Sequence, residues 1–303
     1  MMGIGPDAED AMPRLAEFEE ILKRNELLAP YTYHKLGGPA EMLVQPRSHE
    51  ELSALVQRCY REQIPLRVLG SGCNLIVRDE GVPGVVLRLS EPVFAQIVVE
   101  GDRARAGAGA AVSALISETA RHGLAGLETL VGIPGTVGGA LRTNAGDRAG
   151  DIGQFVRNVV VMDPSGATQV RERDELRFGE HVSNLDDPVL LTVEFALERD
   201  DPDAIVKRMR KAWILRKASQ PAAHQAAGRI FKNPRGHNAA SLIEEAGLAR
   251  TRVGGAEVSD RDANTIMVHP GAASRDALRL IDLVRSRVKE RLGVDLEPEV
   301  TVW

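Results

Sequence analysis

The stretch GIPGTVGGA, residues 132–140, sets four glycines and a proline among apolar residues. A simple turn needs one or two glycines. A run this dense suits a backbone that must lie close against a planar or phosphorylated ligand. Toward the N-terminus, GSGCN at 70–74 follows an apolar strand pattern, LRVLG at 66–70. Its glycines let successive N–H groups converge on one concavity, a nest that suits a pyrophosphate, and Ser71 and Asn74 add side-chain donors. The pattern is not the dinucleotide fingerprint G-x-G-x-x-G, since the third glycine is missing and no helix opening follows. GSGCN alone also describes an ordinary tight turn. Two such loops in a strand-rich setting favour a bound nucleotide cofactor.

Met42 to Gly70 reads as strand, helix, strand. Ser48 and Glu51 form a capping box, and Leu52, Leu55, Val56 and Cys59 recur at helical spacing. Short strands are predicted at 82–90, 95–100, 103–107, 156–163 and 189–198, with a helix near 112–122. Asp200 to Pro202 reads as a boundary, followed by a helix in which Trp213 is expected in the core. The C-terminal third predicts a helix near 239–246 and a longer one after Ser274. There Ala277, Ile281, Val284, Val288 and Leu292 form one apolar stripe, with Gly293 as its stop. The mixture is α+β, with a larger N-terminal and a smaller C-terminal part.

The 303 residues are enough for two or three domains. A net charge of -5 argues against a broad nucleic-acid surface. The 7 histidines show no zinc-ligand spacing, so no metal site is expected. Two cysteines, Cys59 and Cys73, fit a reducing cytosol. Residues 1–12 are acidic, lack an apolar signal core and are expected to be loose; no apolar run is long enough to span a membrane.

GSGCNLIVRDEG (70–81) together with GLETLVGIPGTVGGALRTNAG (126–146) resembles the FAD-binding domain of the vanillyl-alcohol-oxidase (PCMH) type. More narrowly, the chain resembles the UDP-N-acetylenolpyruvoylglucosamine reductase (MurB) family, in its shorter form. TYHKLGGPAEMLVQP (32–46), RKASQP (216–221), FKNP (231–234), LIEEAGL (242–248), VGGAEVSDRDAN (253–264) and LEPEV (296–300) match in order. The resemblance implies an N-terminal extension over 1–31, an FAD-binding domain over 32–200 and a substrate domain over 201–303. It implies that Gly70, Ser71, Gly72, Cys73, Asn74 and Leu75 hold the pyrophosphate. Ile133, Pro134, Gly135 and Gly138 would then lie along the isoalloxazine, with Asn144 beyond them as a further cofactor-binding candidate. Neither loop contains a histidine, so the expected flavin is non-covalent.

The implied reaction is reduction of FAD by NADPH, then hydride transfer to the enolpyruvyl group of a UDP-sugar and protonation of the enol left behind. The product, UDP-N-acetylmuramate, feeds peptidoglycan synthesis and so cell-wall biogenesis, cell shape and division. A cytoplasmic protein is implied, with UDP-sugar and NADPH as partners and no nucleic acid, membrane or obligate protein partner. Cys73 reads as a small packed residue rather than a redox centre. Lys217 and Asn233 match substrate-contacting positions. Ser183 matches another, but equally fits a local backbone cap. Arg142 and Asn144 either contact ligand or shape the flavin loop, and Asn264 either serves the site or closes a turn.

Three family positions carry the chemistry, and this chain departs at two. Glu299 of LEPEV matches the C-terminal glutamate, with Glu297 the alternative. FGEHVSNL (178–185) matches F-G-Y-R-x-S-x-L, with Glu180 for tyrosine and His181 for arginine. GRIFKNP (228–234) matches G-S-x-F-K-N-P, with Arg229 at the usual proton donor. A guanidinium, with a pKa above about 12, is a poor acid. One reading is a catalytically impaired FAD and UDP-sugar binder. The other is an exchange: Arg229 stabilises charge on the substrate, and His181, with an ordinary pKa of about 6.5, delivers the proton.

Overall fold

The computed structural model describes residues 15–147, 149–219 and 229–303. The expectation for residues 1–12 lies outside them, as do Gln220 and Pro221 of the RKASQP stretch.

One four-stranded sheet has the spatial order Leu22–Leu27, Pro39–Val44, Val82–Leu87, Leu66–Val68; the first pair is antiparallel and the other two are parallel. Helix α1 (His49–Arg61) makes the crossover. Its N-terminus is capped as expected, with the Ser48 side chain accepting from the Glu51 amide, and Leu52, Leu55, Val56 and Cys59 are buried. A five-stranded antiparallel sheet follows in the order Thr168–Glu172, Val156–Met162, Val189–Ala196, Arg103–Gly107, Ile97–Glu100. Helices α2 (Val112–Arg121) and α3 (Val137–Arg142) pack beside it. One apolar core joins both sheets, with Met42, Leu55 and Val85 in contact continuity with Phe94, Val159 and Phe195.

The boundaries differ from those expected. Phe18, Ile21 and Leu22 already belong to the first core, and Leu22–Leu27 pairs with Pro39–Val44, so residues from Leu15 onward are part of the FAD-type domain rather than an extension. Helix α4 (Pro202–Ser219) also packs on that domain, through buried Ile205 and the partly buried Met209. Trp213 is 48% exposed, not core. Trp213, Ile214 and Leu215 are consecutive, and three successive residues spread around a helix too far to share one buried face.

A second core begins at Ile230 and is built on α5 (Ala239–Glu245), α6 (Ser274–Leu292) and three antiparallel strands, Arg252–Val253, Ala256–Val258 and Ile266–Val268. The predicted stripe of α6 is buried at Ala277, Ile281, Val284 and Val288, with Leu292 only partly covered. Gly293 ends the helix at φ 72°. No described helix is long and apolar enough to cross a membrane.

The smaller unit is joined to the larger one by short-range bonds. Thr301–Val302 runs parallel to Leu75–Ile76, and the Arg78 amide donates to the Trp303 carbonyl at 2.9 Å. Helix α6 starts after Ala273, whose side chain cannot cap. Asp79 of the first domain supplies the cap instead, accepting from the Ser274 amide at 2.8 Å and the Arg275 amide at 3.3 Å. Burial pushes the Asp79 carboxyl up, but these bonds more than reverse the effect, and its pKa is lowered overall. Asp79→Ala is expected to cost about 1 kcal/mol and to lower the Tm by about 2–4 °C. Scanning calorimetry checks this, and an unchanged Tm would show that the cap contributes nothing.

Candidate active site

The two glycine loops meet. A Cβ built on Gly70 would lie 2.5 Å from the Oγ1 of Thr136, so a side chain there would displace the Thr136 hydroxyl where GSGCN approaches the second loop. Thr136 caps α3 by accepting from the Gly139 amide. Gly135 has φ 142° and no atom within 4 Å of where its Cβ would be, so its backbone presents a bare surface. A depression between the loops is lined by Gly70, Ser71, Gly109, Gly138, Arg88 and Arg142.

Arg88 stacks over Tyr31 at 4.6 Å, and its Nε is buried with no hydrogen-bond partner among the described residues. A half-buried cation facing a glycine-lined depression suits an anionic diphosphate. The residues here therefore fit FAD. Sequence reading missed Arg88. Its signal was a single charge inside the apolar run VPGVVLRLS, where a solvent-facing strand residue is the default reading. Burial raises the Cys73 thiol to about 12, so it holds no thiolate.

The segment beyond α3 borders a second, larger cleft of about 870 Å³, lined by Asn144, Asp147, Gln154, Phe178, His181, Arg229 and Asn233. Asn144 braces it. Its Oδ1 accepts from the Gly153 amide at 3.0 Å, and its Nδ2 donates to the Gly179 carbonyl at 2.8 Å. Of the two readings left open, its described bonds fit the shaping one. Gly179 belongs to a small hairpin, Phe178–Gly179 with Val182–Ser183, closed by Glu180 and His181. The turn holds His181 at φ 55°, a left-handed conformation that histidine tolerates better than most residues.

From the other domain, Arg229 enters on the segment that continues into FKNP. Asn264 clamps that segment: its Oδ1 accepts from the Phe231 amide at 2.9 Å and its Nδ2 donates to the Phe231 carbonyl at 2.7 Å. Asn264 is thus a buried positioning residue for the Arg229 strand. Asn233 accepts from the Ala239 amide at 3.0 Å while lining the cleft.

The three candidate catalytic residues come together. Arg229 Nη1 lies 3.3 Å from His181 Nε2, and His181 Nδ1 lies 3.3 Å from Glu299 Oε1. The His181 and Glu299 side chains are only 18% and 11% exposed. Burial raises the Glu299 carboxyl to about 7; the nearby Arg229 and Lys232 oppose this and Glu180 adds to it. Burial also lowers the pKa of His181, and the Arg229 charge lowers it further. Glu297, the alternative glutamate, is exposed and paired with Lys232.

Two expected ligands are placed otherwise. Ser183 donates to the Arg142 carbonyl at 3.1 Å and accepts from the Leu185 amide at 3.4 Å, as a local cap would, and it does not line the cleft. Lys217 is exposed on α4, with its Nζ 4.6 Å from the centre of the Trp213 ring, and is not a cleft residue either. Its neighbour Arg216 reaches the flavin-type loop, bonding the Val131 carbonyl and Asp147.

Comparison with known proteins agrees with this layout. Residues 40–170 match the FAD binding domain family, and residues 220–303 match the C-terminal domain of UDP-N-acetylenolpyruvoylglucosamine reductase. The reductase of Moorella thermoacetica is 41% identical over 92% of both chains. Reductase 2 of Symbiobacterium thermophilum is 42% identical over 93% of this chain and 92% of its own. The crystal structure of the Thermus caldophilus reductase superposes with a TM-score of 0.80 at 39% identity, covering 91% of this chain and 97% of that one.

The raised Glu299 pKa carries a stability consequence. The neutral carboxyl is at home in this site, so its contribution is fully present below about 4.5 and is lost as pH rises through about 7. Glu299→Gln removes that loss. The Tm of the variant relative to the parent is expected to improve steadily from pH 4.5 to pH 8 in thermal melts. A difference that stays constant with pH would mean that Glu299 titrates as an ordinary surface carboxylate.

Proposed function

The chain belongs to the UDP-N-acetylenolpyruvoylglucosamine reductase family, and from that premise we infer how its own residues carry the reaction. The protein is an FAD-dependent oxidoreductase that uses NADPH to reduce UDP-N-acetyl-3-O-enolpyruvylglucosamine to UDP-N-acetylmuramate, a peptidoglycan precursor. The two glycine loops and Arg88 would hold FAD, which when bound would supply the two-electron chemistry that links NADPH to the alkene.

Arg229 presents a permanent cation at the cleft, where the substrate carboxylate gains charge as the alkene is reduced. The same guanidinium fixes the histidine tautomer. Arginine only donates, so His181 Nε2 must accept and the imidazole proton sits on Nδ1. That Nδ1–H faces Glu299 Oε1. The carboxyl proton is thereby assigned to Oε2, the buried oxygen that has no other partner among the described residues. This unpartnered oxygen carries the proposal: Glu299, which sits behind His181 rather than on the cleft wall, is the source of the proton, and His181 is the neutral group that orients it.

This revises the expectation that His181 itself is the acid. Of the expected exchange, the move of the cation to Arg229 remains, while the proton passes from His181 to Glu299 on a third segment. A carboxyl poised near 7 is well matched to donating a proton at neutral pH.

Anaerobic stopped-flow separates the two halves of the reaction. In the parent, reoxidation of the reduced flavin by the enolpyruvyl UDP-sugar is expected to slow as pH rises through about 7. Glu299→Gln should slow that step by about 100-fold or more while leaving reduction by NADPH intact. His181→Ala should slow it by about tenfold and retain a Glu299-dependent pH limb. Reduction by NADPH with no substrate-driven reoxidation in the parent would instead identify a flavin and UDP-sugar binder without turnover. Parental reoxidation by Glu299→Gln would eliminate Glu299 as the donor.

A further inference from the structure

The flavin-loop asparagine and the C-terminal glutamate sit on different domains, yet they are bonded to each other. Asn74 ends the GSGCN loop. Its Nδ2 donates to the backbone carbonyl of Glu299 at 3.3 Å, and its own carbonyl accepts from the Thr301 amide at 3.0 Å. These two bonds grip the chain on either side of Val300. They lie just before the parallel pairing of Leu75–Ile76 with Thr301–Val302.

Each polar group of Glu299 is therefore held by a different segment. Its amide donates to the Ile230 carbonyl at 2.7 Å, next to Arg229. Its carbonyl is taken by Asn74. Its carboxyl faces His181 of the hairpin. The Asn74 side chain was expected to serve the cofactor, but its described donor bond goes to the chain that carries the acid.

We propose that Asn74 is a positioning residue for Glu299, so that the loop that cradles the FAD diphosphate also sets the placement of the proton donor. The role rests on Glu299 acting as that donor. The physical cause is local. With its amide and carbonyl fixed from opposite sides, Glu299 has little freedom to swing its carboxyl toward water, and it stays desolvated among His181, Arg229, Glu180 and Lys232. Releasing the carbonyl lets the strand move and water reach Oε2. Anything that orders GSGCN, FAD included, then orders the acid as well.

The test uses the FAD-loaded protein and two variants. Asn74→Ala deletes the side-chain donor. Thr301→Pro deletes the amide that bonds to the Asn74 carbonyl, and with it the first bond of the inter-domain seam, while leaving every side chain of GSGCN in place. Three quantities are read: the FAD dissociation constant, the two half-reactions under anaerobic conditions, and the infrared carboxyl band of Glu299, assigned by its loss in Glu299→Gln. Both variants are expected to slow substrate-driven reoxidation by about tenfold and to move the midpoint of the carboxyl band down by about one pH unit. In the FAD-saturated protein, reduction by NADPH, which does not use the acid, should change by less than about twofold.

An unshifted carboxyl band overturns the proposal, whatever happens to the rates. So does an Asn74→Ala protein that binds FAD about tenfold more weakly but reoxidises normally once loaded, which would make Asn74 a cofactor ligand only. If Glu299→Gln reoxidises at the parental rate, the donor assignment fails separately, and the band still decides whether Asn74 controls the carboxyl.

Discussion

The active site depends on a short seam, the parallel pairing of Thr301–Val302 with Leu75–Ile76. Neither apolar core contains the whole site. His181 is carried by the first domain, Arg229 and Glu299 by the second, and the cleft lies where the two meet. Two strand residues on each side would be a weak join alone. It is reinforced by Leu36 and Ile76, which enter the second core from the first domain, and by Asp79, which caps a helix across the boundary. The cap is economical in structural terms. The first turn of α6 has orphan amides and an alanine at its N-cap position, so the donors are satisfied only when the domains are in register.

The electrostatics follow from that seam. A carboxyl brought into a domain junction loses water, and here the cation that acts on it most, Arg229, contacts the far side of the His181 ring, with Lys232 a weaker second. Desolvation therefore outweighs the attraction, and the proton stays on Glu299 up to about neutral pH. The same desolvation, with the same cation, keeps His181 neutral. One arrangement thus gives two groups opposite shifts. Such a separation of neighbouring titrating groups marks acid and base assignments in many active sites. It also has a cost in the fold, because the imidazole is carried by a residue at φ 55° and the buried Oε2 is left unpartnered.

What was legible in the sequence was local. The glycine loops, the Ser48 cap, the stripe of α6 and the Gly293 stop depend on neighbours within a few residues, and each is found where the pattern placed it. The family motifs extended that reach and brought His181, Arg229 and Glu299 into one list before any geometry was known. Partnerships between distant segments were not legible. Nothing in RKASQP says that α4 packs on the flavin domain. Nothing in FGEHVSNL says that Ser183 turns back to the Arg142 carbonyl. Arg88 and Asp79 each read as an ordinary surface charge until the chain that covers them is in place.

The exchange at positions 181 and 229 is physically coherent for a reason that residue types alone do not convey. An arginine at position 181 would stand on the hairpin directly against Glu299, and a guanidinium 3 Å from a carboxyl would hold it ionised. Histidine in its neutral form does not. Moving the cation to Arg229 puts the imidazole ring between charge and carboxyl, at 3.3 Å from each. The arginine still lines the cleft, where the substrate carboxylate needs it, while the glutamate keeps its proton. The two substitutions are therefore coupled. With histidine but no Arg229, the cleft loses its cation and the imidazole loses the donor that sets its tautomer. With Arg229 but no histidine, the Glu299 backbone is still held by Asn74 and Ile230, but the carboxyl loses its facing imidazole. The pair keeps a stabilising charge at the cleft while leaving a neutral group against the carboxyl that gives up the proton.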